Sequence, residues 1–187
     1  MKRLIVCFSL LAALTMTTGC WSRLAKEGIG AVSGAKGFAR VSTPVAPTET
    51  STSLGAYTHF VVEPFADTSP SPGVSLEVKN MLGQHVAEKL IDKKIPNQPG
   101  GRTLTIRGTY IYYEEANKAT DQLFGPFEEV IARVQLLDGN TLIGEATCVG
   151  RSTESVNKGA SKKSQGLARA IVDWIDKNYP PRVEEKK

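Results

Sequence analysis

Asp138-Gly139-Asn140 stands between two runs that alternate apolar and polar side chains, and this constrains the fold more than any other stretch. Phe127 to Leu137 places Val130, Ala132, Val134 and Leu136 on one face. Thr141 to Val149 places Leu142, Gly144, Ala146 and Cys148 on one face. Alternation at a period of two marks half-buried strands, and Asp-Gly-Asn supplies a tight turn. The two runs are therefore expected to pair as an antiparallel hairpin. The inward residues of its return strand are small, which lets a helix pack closely against it.

The remaining elements follow from local signals. Tyr57 to Glu63 is β-branched and aromatic and stops at Pro64, so it reads as a strand. From Val74 to Lys93, Val78, Met81, Leu82, Val86 and Leu90 recur at helical spacing, with Ser71 as the expected cap and Pro72 at the first turn. Arg102 to Tyr113 alternates, with Leu104, Ile106, Tyr110 and Tyr112 on one side and Thr103, Thr105, Arg107 and Thr109 on the other. A last helix begins between Gly159 and Gln165, carries Leu167, Ala168, Ile171, Trp174 and Ile175, and stops at Asn178-Tyr179-Pro180-Pro181. The order β-α-β-β-β-α predicts a single α+β domain, a mostly antiparallel sheet with two helices on one face.

The chain begins MKRLIVCFSLLAALTMTTGC: two positive charges, an apolar run over Leu4–Leu14, then small residues before Cys20. That order is the pattern of a secretory signal, and the run falls short of the roughly 20 apolar residues that span a bilayer. The Gly19-Cys20 junction resembles the lipobox of bacterial lipoproteins, with Thr17 where an aliphatic residue is usual. An ordinary cleaved signal or an amino-terminal helical anchor is the alternative. The resemblance implies cleavage after residue 19, diacylglycerol on Cys20, and a protein held to the envelope membrane. Trp21, in place of Asp, implies the outer membrane, facing the periplasm.

Residues 20–55 are expected to form a tether, since VSTPVAPTETSTSLGA is poor in large apolar groups and four glycines precede it. The glycine spacing also suits close helix packing. The globular domain is expected over 56–180 and a charged tail over 181–187. Without Lys2 and Arg3, the 23 basic residues fall to 21 against 19 acidic ones, a scattered surplus too small to imply nucleic-acid binding. Lys162-Lys163 reads as a solvated helix face. With Cys7 in the signal and Cys20 lipidated, Cys148 has no mate for a disulfide and reads as a core residue.

The strand Val61-Val62-Glu63-Pro64-Phe65, the long helix and the stretch Leu136-Leu137-Asp138-Gly139-Asn140-Thr141-Leu142-Ile143-Gly144-Glu145 resemble a family of bacterial lipoproteins. More distantly they are similar to the α/β domains of curli-export and penicillin-binding-protein-activator lipoproteins and of the TolB amino-terminal domain. The resemblance implies a fold class and an envelope location, with a role in assembly or partner binding. It brings no catalytic signature.

No catalytic constellation is legible in the residues themselves. The two histidines, His59 and His85, fit no metal-ligand spacing, so no metal or other cofactor is expected. Ser155-Val156-Asn157-Lys158 fits Ser-x-x-Lys without its companion motifs, leaving an envelope hydrolase a distant reading. Glu114-Glu115 and Glu128-Glu129 are adjacent residues that point to opposite sides of a strand. What stands out is the sheet face away from the helices, expected to carry His59, Val61, Glu63, Arg107, Ile111, Tyr113, Ile131, Arg133, Gln135, Ile143 and Thr147. It is more apolar than a solvated face requires, so either a partner docks there or the tether, the 114–127 loop or the tail covers it. His59, Arg107, Ile111, Tyr113 and Arg133 are the candidate partner surface of a non-enzymatic protein that binds an envelope protein or another copy of itself. A subunit of an envelope secretion or pore-like assembly is the alternative.

Overall fold

The runs on either side of Asp138-Gly139-Asn140 pair as a long antiparallel hairpin at the centre of a six-stranded mixed sheet. The structure, a computed structural model, describes residues 35–45, 54–70, 72–114, 128–152 and 159–180. In chain order β1 spans Lys36–Thr43, a 3-10 turn Leu54–Ala56, β2 His59–Val62, β3 Ala66–Asp67 and α1 Leu76–Asp92. Next come β4 Thr103–Tyr113, β5 Glu128–Asp138, β6 Thr141–Ser152 and α2 Ala160–Lys177. The strand order is β1-β6-β5-β4-β2, and β3 continues the β2 edge along β4. β2 and β3 run parallel to β4, with α1 as the crossover, and the other pairings are antiparallel. The domain is thus α+β, with both helices on one face of the sheet.

Alternation explains the core. Leu104, Ile106, Tyr110, Val130, Ala132, Val134, Leu136, Ala146 and Cys148 meet Leu82, Val86 and Leu90 of α1 and Leu167, Ile171 and Ile175 of α2. All are buried. α1 is joined to α2 by a buried hydrogen bond between His85 Nδ1 and Ser164 Oγ (3.0 Å). At the far end Lys93 Nζ bridges Asp173 (2.8 Å) and Asp176 (3.1 Å).

α2 lies unusually close to the strands beneath it. A Cβ on Gly37 of β1 would overlap the Gly166 carbonyl oxygen, and one on Gly150 of β6 would overlap the Leu167 amide nitrogen. A Cβ on Gly166 would meet the Lys36 carbonyl oxygen and the Arg151 amide nitrogen. Three glycines from three elements therefore let backbone touch backbone. Gly37 belongs to the segment expected as tether; instead, Lys36–Thr43 pairs with β6 along the sheet edge. Its composition is spacer-like, but the glycine that weakens its propensity is what admits the helix.

Three further expectations are corrected. The cap of α1 is Ser75, whose Oγ accepts from Val78 N–H. Ser71, expected as the cap, lies outside the described residues; ahead of the helix Asp67 accepts hydrogen bonds from Ser69 and from Val74 N–H, with Gly73 at φ +80°. Lys163 is no solvated residue: it is buried, donates to Tyr113 Oη (3.0 Å) and the Glu114 carbonyl (3.1 Å), and its ammonium lies 4.2 Å from the Tyr113 ring centroid.

The third correction concerns side-chain parity. A bulge between Tyr110 and Tyr112 sets Tyr112 opposite Ile131 and Tyr113 opposite Val130. Tyr113, expected on the outer face, therefore packs on the core side, and Tyr112 points outward. A second irregularity sets Leu136 opposite Gly144 and Leu137 opposite Leu142, with Ile143 extra. Ile143 consequently joins the core and Leu142 is exposed, the reverse of strict alternation.

Gly166→Ala is expected to cost about 1–3 kcal/mol or more, because a methyl group has no room between two backbones. Gly83→Ala in α1, whose Cβ would make only an ordinary contact with Val62 (4.0 Å), is expected to stabilise by about 0.5–1 kcal/mol. Urea unfolding of the two variants checks both; a neutral Gly166→Ala contradicts the close seating of α2.

Candidate functional site

With both helices on one face, the other face of the sheet is covered by no element among the described residues. Cross-strand registers arrange it in rows. One row runs Phe38, Val149, Ile131, Tyr112, with the bulged Ile111 beside Tyr112. The next runs Arg40, Thr147, Arg133, Thr109, Ala66. A third holds Thr43, Glu145, Gln135 and Arg107, and a fourth Leu142, Leu137, Thr105 and Val61. Rows of apolar side chains thus flank rows of Arg, Thr and amide groups. Phe38 (49% exposed), Leu142 (43%), Tyr112 (39%), Val61 (37%) and Ile111 (36%) make up most of the exposed large apolar residues of the described chain.

The face is not flat. Val62 pairs with Ile106 and Ala66 with Thr109, so the edge chain takes four steps where β4 takes three. Pro64 has no N–H for the ladder, and the extra residue is accommodated there. Phe65 turns to the helix side, lying against Gly108, where a Cβ would overlap its ring, and against Tyr110 (centroids 5.3 Å apart). Glu63, Pro64 and Ala66 are left as one wall of a hollow of about 290 Å³, with Arg107 and Thr109 on its floor and Arg133 and Gln135 opposite.

Charges in the hollow are unequal. Arg107 donates to Glu63 through Nε (2.6 Å) and Nη2 (3.3 Å), and that hydrogen bonding holds the Glu63 carboxyl below its ordinary range. Gln135 donates to Glu145 (2.8 Å). Arg133 has no carboxylate partner among the described residues, and neither has Arg40 two strands away.

Of the residues read from sequence as the partner surface, the structure brings His59, Arg107, Ile111 and Arg133 onto this face and removes Tyr113. His59 lies at its end, Nδ1 3.1 Å from Thr103 Oγ1. Cys20 lies outside the described residues, as do Ser155 and Glu115. Thr109 lies on the side of β4 where alternation put it, whereas Tyr112, Phe38 and Arg40 were not foreseen. The alternation Phe38-Ala39-Arg40-Val41 carries the signal for the last pair, whereas nothing in Tyr110-Ile111-Tyr112-Tyr113 announces the bulge.

Other chemistry is sparse. Among the described residues no three His, Cys, Asp or Glu side chains gather as metal ligands, and no helix is long and apolar enough to cross a membrane. Burial pushes the Cys148 thiol up to about 12, so it stays protonated. Burial also lowers the His85 pKa from its ordinary 6.5, with Glu88 opposing the shift and Lys89 adding to it.

No family profile and no curated protein matches the chain. Solved structures do. The PelC dodecamer from Paraburkholderia phytofirmans aligns at 15% identity and a TM-score of 0.50, covering 78% of this chain and 99% of PelC. A point variant of that dodecamer gives 14% identity with the same score and coverage. The likeness is one of fold.

Two outcomes are expected from the buried groups. Below pH about 6.5 the unfolded chain protonates His85 before the folded one does, so folding loses stability as the pH falls toward 5. In His85→Gln that contribution vanishes, and the stability difference from the parent narrows across this window in pH-dependent urea unfolding; a constant difference contradicts it. Cys148 is expected to react with a thiol reagent only on unfolding, read as equal rates of modification and global unfolding.

Proposed function

We propose that the protein is a non-enzymatic bacterial lipoprotein, held by lipid on Cys20 to the envelope membrane, with the open face of its sheet binding another envelope protein. The observation that carries this reading is the gathering of exposed apolar and Arg side chains on one face while the opposite face is filled by two helices. Interface cores are rich in Tyr, Phe and Arg, as are the rows around Tyr112, Phe38 and Arg133. The outer membrane facing the periplasm is the proposed site, following from the signal and Trp21.

β1 changes the geometry of the anchor. Only about 15 residues separate Cys20 from Ala35, a chain of at most about 50 Å at full extension. The domain therefore works close to the membrane. Assembly of several copies is a second reading, and a specific observation favours it: PelC, of the same fold, is a dodecamer. On this reading the partner at the open face is another subunit.

Two measurements test the proposal. Cys20→Ala is expected to leave the membrane pellet for the soluble periplasmic fraction, and retention in the membrane contradicts the lipid anchor. Ile111→Asp with Tyr112→Asp is expected to abolish in-cell crosslinks to the partner while the protein still folds, with a loss of about 1–3 kcal/mol, since both side chains are more than a third exposed. Unchanged crosslinks in this variant, with an unchanged oligomeric state, contradict the role of the open face.

A further inference from the structure

The hollow beside Pro64 holds two guanidiniums, Arg107 and Arg133, against one carboxylate, Glu63. Glu63 already accepts from two nitrogens of Arg107. Among the described residues the fork of Arg133 is left without a carboxylate, in a row otherwise made of Arg40, two threonines and Ala66. In water this costs nothing. An interface that closed over Arg133 without an acceptor would strand a desolvated charge, so a partner that covers this face has to bring its own anion.

We propose that the hollow receives an acidic side chain of a protein partner, its carboxylate bound by Arg133 with the Thr109 hydroxyl as a second donor. The inference rests on the reading of the open face as a binding surface and adds the chemistry of its anchor. A planar guanidinium grips a carboxylate through two parallel hydrogen bonds, and about 290 Å³ suits one side chain better than a larger ligand. The surroundings point to a protein as the source. Ile111, Val61 and Leu142 flank the Arg rows with exposed aliphatic groups, which complement the apolar side chains of a protein. Arg40 offers a second, shallower contact two strands along, about 10 Å from Arg133 between backbones.

The test uses the full-length protein in detergent micelles and a blocked hexaglutamate peptide as probe, with hexalysine and an oligogalacturonate as the other arms. Hexaglutamate is expected to bind. Arg133→Gln is expected to weaken it about tenfold, and Arg133→Lys to restore only part of the loss, because an ammonium cannot fork. Lys177→Gln, at the end of α2, is expected to change nothing. Equal thermal unfolding of Arg133→Gln and the parent shows that the loss is not misfolding. Absence of hexaglutamate binding, equal weakening by Lys177→Gln, or Arg133-dependent binding of oligogalacturonate alone overturns the proposal.

A photoreactive residue at Ile111 in intact cells separates this inference from its premise. An Ile111 crosslink to a protein whose yield falls in Arg133→Gln supports both. A crosslink indifferent to Arg133→Gln overturns the acidic anchor and leaves the face as a binding surface. No crosslink from Ile111 or from Leu142 overturns both.

Discussion

The seat of α2 on β1 and β6 fixes the rest of the molecule. Gly37, Gly150 and Gly166 put no side chain between helix and strands at their own positions, so there the two meet through their backbones. A helix so placed leaves space beside it on the same face for α1, which reaches α2 through His85–Ser164 at one level and Lys93–Asp173/Asp176 at another. The two helices together consume the apolar face of the sheet. What they leave uncovered is a face whose apolar content no core demands.

Irregularities of the strands then shape that face. The bulge at Tyr110–Tyr112 pushes Ile111 and Tyr112 outward together, widening the apolar row, and turns Tyr113 back to pack against the buried Lys163. The extra residue at Pro64 sinks Phe65 into the core and raises the wall beside Arg107 and Arg133. Each device stabilises the core side and alters the outer side with the same displacement. A surface with both relief and unequal charge results, on a fold shared with a protein that assembles as a dodecamer.

Much of this was legible in the residues, for identifiable reasons. Asp138-Gly139-Asn140 needs a positive φ at Gly139, and the hairpin follows (φ +59°). Leu167, Ile171, Trp174 and Ile175 recur at helical spacing, and α2 follows. Strict alternation failed at Tyr113 and Ile143 because a bulge adds one residue and reverses the side chains on one side of it relative to those on the other. Gly144 marks one of those places, since glycine inside a strand often accompanies a bulge; Tyr110-Ile111-Tyr112 carries no mark at all. β1 was hidden because Gly37 lowers strand propensity, while its role is a long-range contact with Gly166 that no local pattern reveals. Arg133 was placed on the correct face, but that no carboxylate among the described residues meets it depends on the pairing of Arg107 with Glu63, a matter of tertiary geometry.

The central claim is that the open face is the working surface of a membrane-held domain. Hydroxyl-radical footprinting of side chains, on membranes from intact cells and on the purified monomer, tests it directly. Ile111, Tyr112 and Leu142 are expected to be shielded in the membranes and labelled in the monomer, while Leu76 and Ile91, exposed on α1, label equally in both. Equal labelling of the open face in the two samples, or shielding confined to Leu76 and Ile91, would contradict it.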